Sequence, residues 1–428
     1  MTRARVVDLG GQLVLAGGLG LFLLALGLRD WYWPRFGVPG GTGFGFLDLR
    51  FFTSAWECAR RGIEVVETNP CDPAGRAMNY PRIWLAPAPL GLGQAHTVVL
   101  GAGLVAVFVA SVFAAIGRIR PGDGLVYAAA LCSPAVLLGV ERANPDVLVF
   151  AIVVAGLLLL RVGSVPGVAA AHGLLLLAAV LKLYPVLAWG PLLRQPRRRL
   201  LLGLGGVAAA FAVYALATRH DIRRIGALVP EDVIFSYGAG ILGDEGAGRI
   251  GVLVAGSLAA LGLVALARRR GSPAAGAATE REQRDLDLFW AGAGVFLGTY
   301  ALAHNYNYRL AFCLLTLPQL LRWSRDPQAP VPFAALGVTS VLASLWLGAS
   351  ISAFPLGIGE WWEDVLAGFP YDELVNVLLF GYLAGALVLT LPRPLFSLLR
   401  PDRRTRPARP GGAHRADRSP PARTSARP

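Results

Sequence analysis

Apolar runs of nearly membrane-spanning length recur along this chain, and no other feature of the sequence limits its fold so sharply. Leu13 to Leu28, Thr97 to Ile116, Val147 to Leu160, Leu200 to Leu216, Val252 to Ala267 and Phe333 to Ser350 are such runs. Each reaches or approaches the roughly 20 apolar residues that cross a hydrocarbon core. Lipid cannot hydrogen-bond an open backbone, so the runs must be helical. Of 428 residues 55% are hydrophobic and only 16% charged, too apolar for an ordinary soluble domain. The reading is therefore an all-α polytopic membrane protein with about 11–12 membrane segments over residues 1–392.

The net charge of +13 would suit a nucleic-acid binder, but ten arginines against two aspartates in residues 393–428 supply +8 of it. That Pro- and Arg-rich tail cannot bury a core and reads as a disordered cytoplasmic extension, so no nucleic-acid partner is expected. Membrane lipids are the expected surroundings. The N-terminal apolar run is preceded by Arg3 and Arg5 and lacks a small-residue cleavage site, so it reads as an uncleaved first span.

Arginine-rich loops mark the cytoplasmic side. With Arg3 and Arg5 inside, span 1 (about 11–28) leads out to a long loop, 29–87. Span 2 returns to Arg118 and Arg120, span 3 (about 125–140) leads out to Glu141–Asp146, and span 4 returns to Arg161. The next stretch, 166–193, has arginines at both ends, which one crossing cannot satisfy. Lys182-Leu183-Tyr184-Pro185 interrupts it, and a proline removes a helical hydrogen bond and disfavours helix just before it. Two segments are expected, about 167–182 and 185–193, the second only about 14 Å long at 1.5 Å per residue. Spans at about 200–217, 250–267, 286–303, 310–322, 333–352 and 374–392 then leave both termini cytoplasmic. Loops 29–87, 141–146, 182–185, 218–248, 304–309 and 353–373 fall on the extracytoplasmic face, and the cytoplasmic loops hold little but arginine.

The chemistry-bearing residues lie on that outer face. Asp48 opens a segment, Asp48 to Cys58, whose spacing suits an interfacial helix with its aromatics toward lipid. Asp48 could cap that helix or act as a base. Cys58 and Cys71 share the loop, thirteen residues apart, on the oxidising side of this topology, so a disulfide is expected. Lys182 is the sole lysine among 40 basic residues, and an intramembrane cation usually has a function, although its ammonium could simply snorkel to the interface. His304-Asn305-Tyr306-Asn307-Tyr308-Arg309 gathers donors, a potential base and two aromatics between two spans. Arg309 can grip a phosphate with paired donors, and an interfacial aromatic belt is the plainer reading. Glu141, Arg142 and Asp146 could form local ion pairs, His96 and His172 read as packed residues, and Trp361-Trp362-Glu363-Asp364 as a lid or an interfacial helix.

An aspartate soon after span 1, an aromatic loop closing in Asn79-Tyr80-Pro81, Asn144-Pro145-Asp146 opening an apolar span, and Lys182-Leu183-Tyr184-Pro185 breaking another form an ordered set. In this the chain, to about residue 325, resembles the C-type (GT-C) membrane glycosyltransferases, nearest to family 87, the polyprenyl-phosphate-sugar-dependent mannosyl- and arabinofuranosyltransferases. Arg82 stands where that family often has a second proline. The resemblance implies a GT-C-like bundle in the plasma (inner) membrane that transfers a sugar, mannose foremost, from a polyprenyl phosphate to a lipid or glycan acceptor. It implies Asp48 as general base, Lys182, Arg309 and His304 as donor-phosphate ligands, and Tyr80, Asn144, Asp146, Tyr184, Tyr306 and Tyr308 as substrate contacts. No cofactor is expected, and the absence of an Asp-x-Asp pair from the first loop favours chemistry without a metal. A transporter of lipid-linked sugars would also use broken helices and intramembrane charge, but the halves show no repeat symmetry. A third alternative, an acyltransferase or glycan polymerase, would also use outward polar loops.

Overall fold

The computed structural model describes residues 17–24, 27, 45–117, 120–195, 200–228, 236–241, 247–270, 279–302, 305–347 and 371–391. Most of the first span, His304, Trp361 to Asp364 and the basic tail lie outside these residues.

The described residues are overwhelmingly helical. In order they form α1 (Leu47–Arg60), α2 (Thr97–Ile116), α3 (Pro121–Leu131), α4 (Pro134–Glu141), α5 (Pro145–Leu159), α6 (Val165–Leu181) and α7 (Gly205–Ala217). These are followed by α8 (Arg219–Leu228), α9 (Ala247–Arg270), α10 (Glu280–Leu302), α11 (Leu317–Trp323), α12 (Ala334–Leu347) and α13 (Tyr371–Leu389). One short antiparallel ladder pairs β1 (Ser236–Tyr237) with β2 (Asn305–Tyr306).

Three helices, Gln94–Ile116, Leu200–Ala217 and Gly248–Arg270, are long and apolar enough to cross a membrane. The α3–α4 pair would make a fourth span, and shorter apolar helices accompany them. Less than a third of each long apolar window is buried, and Val99, Val213, Leu216, Ile250 and Leu258 stand exposed on them. Exposed aliphatic bands on helices of this length suit a lipid environment.

The structure corrects several segments. The span expected over 125–140 is two helices bent by 56° where Pro134 follows Cys132 and Ser133, and Ser133 caps α4. The helix does break at Lys182, whose backbone is extended (φ −154°, ψ 116°), but residues 184–194 continue as a 3-10 helix. Pro185 at its start and Pro191 inside it deny the amides that an α-helix there would need. The span placed at 310–322 begins as a second 3-10 helix, Asn307–Thr316, before α11. The run Thr97 to Ile116 is helical over the bounds expected, and residues 82–85 before it form a 3-10 turn.

Glycines on α10 explain how these two 3-10 stretches are held. A Cβ on Gly292 would lie 2.6 Å from the Phe312 carbonyl oxygen, and one on Gly294 would strike the Leu187 carbonyl. Both irregular segments therefore pack backbone-close on α10, the small-residue device of membrane helix packing. They carry Tyr184 and Arg309, so the contact with α10 positions the backbone that bears these two side chains.

The aromatics of α1 do not face lipid. Phe51, Phe52 and Trp56 are buried, with Phe52 packed on Tyr80 (ring centroids 4.8 Å) and Trp84 (4.6 Å). Trp56 Nε1 donates to the Trp84 carbonyl, and Trp84 Nε1 to that of Leu181. The first loop is thus folded onto the end of α6. Several arginines at helix ends are paired rather than bare. Asp287 on α10 takes Arg161 and Arg194, Asp285 takes Arg284 and Arg322, and Asp123 takes Arg325. The acidic stretch 280–287 supplies Asp285 and Asp287, a feature that reading the arginines alone overlooks.

Candidate active site

The site grows from a backbone junction. An α-helix leaves its first amides unsatisfied, and α1 fills that need from the corner between α4 and α5. The Phe46 amide donates to the Glu141 carbonyl at 3.1 Å, and those of Asp48 and Leu49 donate to the Arg142 carbonyl at 3.0 and 3.2 Å. Asp48 is therefore not the cap: the N-cap position is Phe46, which makes no side-chain capping bond. The Asp48 carboxylate is left for other work. The corner turns on Ala143 with φ 43°, a left-handed backbone that costs a non-glycine residue about 1–2 kcal/mol. That conformation brings Asn144 round to cap α5, its Oδ1 accepting from the Asp146 amide at 2.9 Å.

Asn144 is the joint of the site. Its Nδ2 donates to Asp48 Oδ2 at 2.6 Å, and its Oδ1 also accepts from Lys182 Nζ at 3.4 Å. Lys182 Nζ lies 2.7 Å from Asp146 Oδ1, which accepts from the Tyr184 hydroxyl at 2.8 Å. Arg309 Nε faces Asp146 Oδ2 at 3.5 Å, and its guanidinium lies 4.4 Å from the Tyr184 ring centre. Tyr80 and Tyr308 present their rings to Lys182 Nζ at 5.2 and 5.5 Å, and Tyr306 stacks on Tyr308 at 5.4 Å. Asp48, Asn144, Asp146, Lys182, Tyr184, Arg309, Tyr80, Tyr308 and Tyr306 thus meet in one network built from five separate stretches of chain. His304 lies outside the described residues.

Charge divides the network. Asp146 is shared by two cations, Lys182 and Arg309, which leaves that side one positive charge in excess. Arg309 Nε and Asp146 Oδ2 are both buried and face each other without closing a hydrogen bond, so this ion pair is not fully satisfied. Around Asp48 the charges balance. Arg76 Nη1 and Arg142 Nη1 lie 3.6 and 3.7 Å from Asp48 Oδ1, and buried Asp72 holds Arg76 through two of its guanidinium nitrogens. Burial opposes the Arg76 charge, but Asp72 and Asp48 outweigh it and raise its pKa. Burial, reinforced by Asp48 and Asp146, pushes the Tyr80 phenol well above its usual pKa, so it stays protonated as a donor.

Cys58 and Cys71 are joined as a disulfide with Cα atoms 5.9 Å apart, which ties the loop before Arg76 to α1. Arg76 was not visible as a site residue in the sequence; its spacing of four from Asp72 was the available signal. Arg82 ion-pairs with Glu64 and Asp221, both at 3.1 Å, at the rim rather than in the site. His172 is half-buried and bonded to the Val168 carbonyl, whereas His96 is not packed but exposed in the 3-10 turn before α2, where it accepts from the Gly93 amide. Among the described residues, no three His, Cys, Asp or Glu side chains gather as metal ligands do. Comparison of the chain with protein-family models, curated proteins and solved structures finds no match.

Proposed function

We propose that the protein is a multi-pass glycosyltransferase of the plasma membrane. It moves a sugar, mannose foremost, from a polyprenyl phosphate to a hydroxyl of a lipid or glycan acceptor on the extracytoplasmic face. The observation that carries the reading is one asymmetric network: a charge-balanced carboxylate, Asp48, joined through Asn144 to a carboxylate shared by two cations. Transfer from a lipid phosphate needs those two halves, a base for the acceptor proton and cations for the leaving phosphate.

In this mechanism the acceptor hydroxyl gives its proton to Asp48 Oδ1 while its oxygen bonds to the anomeric carbon. The bond from that carbon to the phosphate oxygen breaks, and its electron pair leaves with the polyprenyl phosphate. Lys182 and Arg309 hold the charge that builds there, and Tyr80, Tyr184 and Tyr308 offer ring faces to the sugar. In the wider proposal the membrane domain is a GT-C-like bundle of about 11–12 segments with cytoplasmic termini, in which the short and broken helices complete the crossings.

The test is incubation of the purified protein with a panel of polyprenyl-phosphate sugars and a glycan or lipid acceptor, following consumption of each donor. Consumption of one donor, with release of polyprenyl phosphate, is the expected result. Tight donor binding with no consumption and transbilayer movement in vesicles would instead identify a transporter.

A further inference from the structure

A buried carboxylate on α13, Glu373, lies outside the network just described yet connects to it. Glu373 Oε1 accepts from the Gly238 amide at 3.1 Å and Oε2 from the Tyr300 hydroxyl at 3.0 Å. Only 1% of the residue is exposed. Gly238 has φ 134°, a conformation that side-chain-bearing residues rarely adopt, and it directly follows β1. β1 in turn pairs with β2, Tyr237 opposite Asn305. Asn305 is clamped further by its Nδ2, which donates to the Thr299 carbonyl, and its Oδ1 accepts from Arg309. A continuous path therefore runs from α13 through Gly238, β1, β2 and Asn305 to the guanidinium beside Asp146.

We infer that Glu373 is a positioning residue that latches β1 to α10 and α13 and thereby aims Arg309 at its anion. The inference rests on the reading of Lys182 and Arg309 as the phosphate grip. Two features favour a latch over ordinary core packing. A carboxylate is costly to bury, and this one spends both oxygens on the residue after β1 and on the last turns of α10. The Tyr237 hydroxyl also bonds Thr299 Oγ1 at 2.8 Å, and the Ala239 amide donates to the Tyr300 carbonyl at 2.9 Å. Residues 237–239 are thus tied by hydrogen bonds to α10, α13 and β2.

The experiment uses the full chain in nanodiscs and decaprenyl phosphate as the probe, with two readouts: its Kd, and hydrogen exchange in peptides covering 236–241 and 305–309. Glu373→Ala should speed exchange in both segments and weaken probe binding about ten-fold, as losing one or two buried hydrogen bonds would. Glu373→Gln keeps an acceptor for Gly238 and a partner for Tyr300, so both readouts should stay near wild type. Tyr300→Phe removes one of the two bonds and should weaken binding about three-fold, which keeps the test decisive if Glu373→Ala does not fold. Wild-type affinity in the destabilised variants, or exchange unchanged at 305–309, overturns the inference. If the wild-type chain itself fails to bind decaprenyl phosphate, the phosphate-grip reading falls, and exchange at 305–309 alone decides the latch.

Discussion

Replacing Asp146 with asparagine should cost more stability than replacing Lys182 with methionine, although each removes one charge from the same cluster. Among the described residues, Asp146 is the carboxylate that pairs with both Lys182, at 2.7 Å, and Arg309, at 3.5 Å. The side chains of Lys182, Asp146 and Arg309 are only 12%, 2% and 15% exposed, so solvent screens them little. Asp146→Asn leaves two buried cations facing each other and turns an amide donor toward one of them. Breaking a buried ion pair by removing one partner costs about 3–5 kcal/mol. Lys182→Met leaves Asp146 still matched by Arg309 and the Tyr184 hydroxyl, and the methionine can keep the contacts with the Tyr80 and Tyr308 rings. Its cost should be that of one charge-assisted hydrogen bond, about 1.5–3 kcal/mol. Equilibrium unfolding in mixed micelles, followed by tryptophan fluorescence, measures both. If Asp146→Asn is no less stable than Lys182→Met, the cluster does not carry the excess positive charge assigned to it.

Replacing Cys58 and Cys71 by serine should lower stability by about 3 kcal/mol in the chain-entropy model for a thirteen-residue separation, and reductant should lower the wild-type Tm likewise; an unchanged Tm contradicts this. Single cysteines placed at 197 or 269 should be labelled only from the cytoplasmic side, whereas outward labelling at 197 would remove the proposed topology around Lys182. Burial alone would raise the pKa of Glu64, but its hydrogen bonds from Arg82 and the Val66 amide and the Arg82 charge hold it below the usual carboxylate value. The folded pKa is depressed, so this contribution is present above the ordinary glutamate pKa and lost as pH falls through the lowered one. Both side chains are 46% exposed, which limits the effect to no more than about 1 kcal/mol, and Arg82→Gln should abolish that part of the acid dependence in thermal melts at pH 3–7.

Features written in adjacent residues were legible in the sequence. The break at Lys182 followed from Pro185 and from arginines at both ends of one apolar stretch. The candidate residues on the outer loops could be grouped because charge placement put those loops on one face. What escaped the sequence was pairing between distant segments. The α1 aromatics read as lipid-facing because an amphipathic pattern does not say what covers its apolar side, and Tyr80 and Trp84 cover it here. Asp48 read as a possible cap because the distant carbonyls of Glu141 and Arg142, which in fact satisfy the α1 amides, carry no sequence signature. Arg76 was legible only through its spacing of four from Asp72; its approach to Asp48, on the helix earlier in the same loop, left no sequence signal. The latch from Glu373 to Asn305 depends on a two-residue ladder too short to leave a periodic pattern.

The central claim is the division of labour between Asp48 and the Lys182–Arg309 pair, and one paired measurement on Asp48→Asn tests it most directly. Asparagine keeps the shape of the side chain and its bond to Asn144 but cannot take the acceptor proton. With the polyprenyl-phosphate sugar that the wild type consumes, turnover by this variant should fall at least about 100-fold, the usual share of a general base, while decaprenyl phosphate binds with wild-type affinity. Near-normal turnover by Asp48→Asn would contradict the account and turn attention to His304 as the base.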